Sequence, residues 1–200
     1  FRKSLSLNPF FDKARSNLAD ALTETGKFKE AALHYKNLSK TVTFDSYSYY
    51  NYAIALEGSG KSKEAEEAYI LAIELNPKDA GSRNNLANIY LRRNDLARAE
   101  RFYKEVVEID PSHAPALNNL GIIKSLQKLH TESLEYYERA ITADPGYVSA
   151  YYNMGLTLED LDKKTEAIET YRKVLRISPG HSGAGKNIEA ILLKEKKGAL

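Results

Sequence analysis

Five of the six prolines keep a fixed beat. Pro9, Pro77, Pro111, Pro145 and Pro179 are separated by 68, 34, 34 and 34 residues, and 68 is two periods of 34. The unfilled beat falls on Thr43. Self-similarity at such a period marks stacked supersecondary units, each unable to bury its apolar face alone. With each proline phased at position 32, the repeats are 12–45, 46–79, 80–113, 114–147 and 148–181, followed by 182–200. Residues 1–11 are then the second half of an earlier, truncated repeat.

Other columns fall into the same register. Position 7 is Leu18, Tyr52, Leu86, Leu120 and Met154, and position 8 is Ala19, Ala53, Ala87, Gly121 and Gly155. Position 20 is small throughout (Ala31, Ala65, Ala99, Ser133, Ala167), and position 24 is Tyr35, Tyr69, Tyr103, Tyr137 and Tyr171. Positions 7, 8 and 11 share one helical face; positions 20, 24 and 27 share another. A polar turn separates them, including Gly26, Gly60 and Asn94, residues that accept the left-handed backbone at a helix end. Proline then stops the second helix. The reading is all-α: helix–turn–helix repeats whose small residues let paired helices approach while large ones fill the gap.

This pattern resembles the tetratricopeptide repeat (TPR) family over residues 1–181. The resemblance implies a right-handed α-α superhelix, a TPR solenoid. The departures are Thr43 in place of Pro, Lys124 in place of an apolar residue at position 11, and the larger Leu38, Val106 and Val174 at position 27. They bear on local helix ends and packing.

The segment 182–200 begins like a further repeat, with Ile188 at position 7 and Leu192 at position 11, but Glu189 occupies the small-residue position 8. It reads as a capping helix: Ile188, Ile191 and Leu192 cover the last repeat, and Lys186, Glu189, Lys194, Glu195 and Lys197 face water. The N-terminal end has no equivalent cap, so the natural chain is expected to extend upstream, or to self-associate through that end.

Composition excludes several classes of chemistry. The chain has no Cys, so it has no disulfide, thiolate metal site or cysteine nucleophile. A net charge of +2 gives no global attraction to nucleic acid or an anionic membrane. No apolar run approaches the ~20 residues of a membrane span. Gly58-Ser59-Gly60-Lys61-Ser62 lacks the first glycine of a phosphate-binding loop, because position 55 is Ala55, and it falls on the interhelix turn. His34, His113, His130 and His181 lack metal-ligand spacing and read as surface residues. Arg92, Arg93, Arg98 and Arg101 interleave with acids and read as a salt-bridged face. No cofactor, metal, nucleic-acid or membrane partner is expected.

The resemblance implies that first helices line a concave surface, with positions 2, 5, 6, 9, 12 and 13 facing in. Position 6 is Asn17, Asn51, Asn85, Asn119 and Asn153, with Asn187 in the cap. Position 5 contributes Tyr50, Asn84, Asn118 and Tyr152, position 2 Tyr47, and position 9 Asn88. An Asn amide offers an acceptor and two donors, the complement of a peptide backbone. One amide per repeat suits an extended chain; the competing reading is that the column serves packing or solvation. The column resembles that of the TPR superhelix of O-GlcNAc transferases, which hold extended polypeptides. The chaperone-binding subclass clamps a C-terminal carboxylate with Lys at position 5, and no Lys stands there, so no such clamp is expected. The expected function is a non-catalytic module that binds an extended or helical protein segment. The alternatives are a self-assembling scaffold and a regulatory arm of a larger enzyme.

Overall fold

In the computed structural model, which describes residues 12–198, every regular element is a helix. The pairs are α1 (Asp12–Glu24) with α2 (Phe28–Leu38), α3 (Ser46–Gly58) with α4 (Ser62–Leu75) and α5 (Ala80–Arg92) with α6 (Leu96–Ile109). They continue with α7 (Ala114–Leu126) and α8 (His130–Ala143), then α9 (Val148–Asp160) and α10 (Lys164–Ile177), and close on α11 (Ser182–Gly198). First helices start at 12, 46, 80, 114, 148 and 182, so the period of the sequence is the period of the fold. The all-α expectation holds. Residues 1–11, with the truncated repeat and the uncapped end inferred there, lie outside the described residues.

The chain forms two compact halves, 1–102 and 103–200. Within the first half, Ala19, Ala53 and Ala87 are fully buried, as are Ala31, Ala65 and Ala99. These small side chains let Tyr35 and Tyr69 lie inside the hairpins. In the second half, Gly121 takes the alanine position: a Cβ there would sit 2.5 Å from the Tyr137 ring. Ser133 replaces Ala in the facing column, and its buried hydroxyl donates to the Gly121 carbonyl at 2.9 Å. Removing each such tyrosine ring from water contributes roughly 2 kcal/mol.

All five interhelix turns use one left-handed residue at position 15: Gly26, Gly60, Asn94, Lys128 and Asp162, with φ of 73°, 87°, 59°, 63° and 56°. The sequence pointed to this backbone only at the Gly and Asn turns; Lys128 and Asp162 adopt it because the hairpin geometry demands it. The second helix of the first repeat, the one lacking proline, is 11 residues long, against 14 in the others. Its β-branched Thr41-Val42-Thr43 leaves the helix, and Phe44 is buried between Tyr35, Tyr49 and Tyr52. Where proline is present, the preceding residue is extended, as at Asn76 (φ −134°, ψ 93°), because the ring disfavours a helical predecessor.

Four first helices are capped by a side chain at position 34, whereas Tyr147, in that place before α9, makes no cap bond. Asp45 accepts from the Ser48 N–H at 2.8 Å and Asp79 from that of Ser82 at 3.0 Å. His113 and His181 do the same through Nδ1, at 3.2 Å to Ala116 and 3.1 Å to Ala184. These two histidines are therefore helix caps, a role their loop positions did not disclose.

The cap α11 lays Ala184, Ile188 and Ile191 against the Leu158, Tyr171 and Val174 cluster. Lys186, Glu189 and Lys194 are exposed, as expected; the side chains of Glu195 and Lys197 lie outside the described residues. Leu192 departs from the expectation: it is 40% exposed, because it stands one residue past the buried Ile191 and the helix turns it outward.

Lys124, the charged departure at position 11, is buried along its stem and brings its ammonium 3.4 Å from Glu132. The Arg92–Arg101 cluster is a salt-bridged face. Arg92 pairs with Glu57 at 2.5 Å, Arg93 with Glu66, and Arg98 with Asp95 at 2.5 Å while lying 4.3 Å over the Tyr90 ring.

Candidate polypeptide-binding face

The first-helix asparagines do not stand alone. In the first half, Asn85 Nδ2 donates to the Tyr69 hydroxyl at 3.2 Å, and that hydroxyl donates to Glu57 at 3.0 Å. Asn84 Nδ2 in turn donates to Asn85 Oδ1 at 3.3 Å. One repeat earlier, Asp20 holds both the Tyr35 hydroxyl, at 2.5 Å, and Asn51 Nδ2, at 3.1 Å.

The second half repeats the motif. Asn119 donates to the Tyr103 hydroxyl at 2.9 Å, and Asn118 donates to Asn119 Oδ1 at 3.2 Å. Asn187 donates to Tyr171 at 3.0 Å, and Tyr171 donates to Glu159 at 2.5 Å. In Asn85, Asn119 and Asn187 the link runs from position 6 of one repeat to position 24 of the repeat before, a separation of 16 residues, while Asn51 reaches Asp20, the acid that holds Tyr35. Asn153 breaks the rule by donating to Asn118 Oδ1 at 2.9 Å. Tyr137 is thus the one position-24 tyrosine given neither an Asn nor a carboxylate; Ser133 and Thr157 are its polar neighbours.

Burial raises the hydroxyl pKa of Tyr35, Tyr69 and Tyr171, and Asp20, Glu57 and Glu159 respectively push it further in the same direction. These hydroxyls stay protonated and act as fixed relays between an acid and an amide. None of them is a candidate base or nucleophile.

The sequence picked out both columns but not the bond between them. Its packing alternative describes part of what these asparagines do. The bonds also orient the amides. Asn85 has spent one donor and one acceptor lone pair inside the fold, and its amide inventory includes a second lone pair. Asn17, Asn51, Asn84, Asn85 and Asn88 are half-buried in the first half, Asn119 and Asn153 in the second, and Asn118 is buried. Oδ1 of Asn84 is buried without a hydrogen-bond partner.

The tyrosines divide. Tyr47 is 64% exposed. Tyr50 is half-buried, its ring centroid 6.2 Å from that of Tyr69 and its edge 3.3 Å from where a Cβ on Gly81 would sit. Tyr152 repeats this in the second half, packed on Tyr171 at 5.8 Å and His181 at 4.7 Å, with its hydroxyl over Gly183. Between Tyr47 and Tyr50 opens a hollow of about 460 Å³ whose other walls are Asp45, Ser46, Asn76 and Asp79. Among the described residues there is no group of three side chains able to hold a metal ion, and no helix is long and apolar enough to cross a membrane.

Comparison with known proteins places this architecture. Two tetratricopeptide repeat family profiles match, one over residues 84–145 and again over 112–179, the other over 50–114. No curated protein sequence matches. Among solved structures, the chain is similar to MamA from Desulfovibrio magneticus RS-1 (20% identity, TM-score 0.75, covering 86% of this chain and 97% of that one). It is similar to YrrB, described as a TPR protein with an unusual peptide-binding site (20%, TM-score 0.70, 92% and 95%). It is also similar to the Cut9–Hcn1 hetero-tetramer of the APC/C (18%, TM-score 0.78, 96% of this chain and 38% of that one). At these identities the structures establish a shared TPR solenoid fold. With the family profiles spanning most of the sequence, the chain belongs to the tetratricopeptide repeat family.

Proposed function

We propose that this chain is a non-catalytic protein–protein interaction module that binds a polypeptide segment on its first-helix face. The observation that carries the reading is the hollow beside Tyr47 and Tyr50, set next to amides already oriented by buried tyrosines. Tyr47 is large, mostly exposed and not needed by the interior. Flat aromatic surface beside fixed amides binds peptide at low entropic cost, because the amides are already held and a tyrosine has only two side-chain torsions to order. Peptide and protein binding among structural relatives, named for YrrB and Cut9–Hcn1, fits the same role.

The finer form is an extended segment whose backbone meets the Asn amides, the mode implied by the resemblance to the O-GlcNAc transferase superhelix. Asn17, Asn51, Asn84, Asn85 and Asn88 serve the first half, and Asn118, Asn119 and Asn153 with Tyr152 the second.

The test is a peptide-display selection with the full chain, followed by affinity measurement on Tyr47→Ala and Tyr47→Ala/Asn85→Ala. Truncating an aromatic anchor at an interface centre weakens binding on the order of tenfold or more. The helical signal of Tyr47→Ala should stay unchanged, since Tyr47 is exposed, and a thermal melt of the double variant reads the separate cost of losing the Asn85–Tyr69 bond. Equal affinity of every selected peptide for wild type and both variants contradicts the proposal.

A further inference from the structure

A second hollow lies away from the first-helix asparagines, between the outer side of α2 and the end of α3. Its volume is about 330 Å³. The floor is apolar, made by Ala32, Tyr52 and Leu56. The rim carries Lys29, Leu33 and Lys36 from α2 and Lys61 from the turn before α4. Lys29, Leu33 and Lys36 are spaced so that they form one stripe along the helix.

Two features of this rim lack a structural reason. Leu33 is 59% exposed, and its column holds Glu67, Arg101, Glu135 and Glu169 in the other repeats. A large apolar residue therefore stands where every sister repeat has a charge. The second feature is charge. Lys29, Lys36 and Lys61 are all exposed, and none has an ion-pair partner among the described residues. Glu64, whose charge reaches the Tyr52 hydroxyl, lies outside the lining, which contains no carboxylate. Three unpaired ammonium groups around an apolar recess raise the local concentration of anionic groups and leave a bulky side chain somewhere to go.

We propose that this hollow docks an acidic segment of a partner protein, with one bulky apolar side chain entering between Leu33 and Tyr52 and flanking carboxylates pairing with Lys29, Lys36 and Lys61. A recess, rather than a flat basic patch, favours a side chain over a membrane surface. The site uses different residues from the Tyr47 face, so either can fail without the other.

The experiment is a display selection of random peptides on the full chain, counter-selected on Lys29→Glu/Lys36→Glu/Lys61→Glu. All three positions are exposed, so this variant should keep the wild-type melting temperature. Peptides kept by wild type and rejected by the variant should carry Leu, Phe or Trp flanked by Asp or Glu. Their affinity should fall as salt rises, and should drop on the order of tenfold in Leu33→Asp, which leaves the lysines in place. The proposal is overturned if no sequence discriminates the two proteins, if the discriminating sequences lack acidic residues, or if Leu33→Asp binds them as wild type does. It is also overturned if phosphatidylserine vesicles sediment the wild-type chain in a lysine-dependent way and displace the peptides, since the occupant is then an anionic membrane.

Discussion

At the scale of single residues, the chain repeats one polar device inside an apolar setting: an acid, a buried tyrosine hydroxyl and an asparagine from the next repeat. The device is complete at Tyr69 and Tyr171 and missing at Tyr137. That difference makes a controlled comparison. Tyr69→Phe removes the partner of both Glu57 and Asn85 and should cost about 1–2 kcal/mol. Tyr137→Phe removes a buried hydroxyl whose polar neighbours are only the neutral Ser133 and Thr157, and should cost less, about 0.5–1 kcal/mol. Urea unfolding of the two variants measures the contrast directly. The columns themselves were readable, because Tyr at position 24 and Asn at position 6 recur in a linear list. The bond joining them was not, because it spans 16 residues and exists only once hairpins stack. The diversion of Asn153 to Asn118 was equally invisible, since the column shows the same residue throughout.

At the scale of elements, turn and hairpin geometry override local preference. Gly60 has an open surrounding and a φ of 87°, so Gly60→Ala should cost about 1 kcal/mol from the backbone alone. Gly121 has the opposite constraint. Its Cβ would strike the Tyr137 ring at 2.5 Å, so Gly121→Ala should cost about 1–3 kcal/mol through overpacking. Thermal melts of the two variants, with a double mutant to test additivity, check both. Helix number and order were legible because the 3.6-residue periodicity and the prolines agreed. The early end of α2 was foreshadowed by Thr43, but its length was set by Phe44 seeking burial among tyrosines. Leu192 was misplaced because a short apolar run, Ile191-Leu192-Leu193, does not say which member faces inward.

At the scale of the whole molecule, stability rests on tyrosines that must stay neutral and on carboxylates that must stay charged. Burial first, then neighbouring acids, raise Tyr35, Tyr69 and Tyr171 above the ordinary value of 10.0. A raised folded-state pKa gives stability that is complete below pH 10 and is lost as pH climbs beyond it. The Ser48 and Ser112 hydrogen bonds hold Asp45 and Asp110 below their ordinary 3.8, so their contribution is present above that value and fades as pH falls through the lowered one. The tyrosinate absorbance of Tyr35, Tyr69 and Tyr171, isolated by difference against their Phe variants, should therefore rise together with loss of helical circular dichroism on alkaline titration. A separate, earlier ionisation of these three rings in a still-folded chain contradicts the ladder. Function was legible only as far as the repeat family reaches; exposure of Tyr47, and the hollow beside it, required coordinates.

The most direct test of the central claim is a nuclear magnetic resonance titration that follows the side-chain amides of the first-helix asparagines. The ligand is a display-selected peptide whose affinity is unaffected by Lys29→Glu/Lys36→Glu/Lys61→Glu. The account predicts saturable shifts at Asn51 and Asn85 together with the Tyr47 ring, while α2 and α4 surface residues stay still. Shifts confined to second-helix residues, with the asparagine amides unmoved at saturation, contradict it.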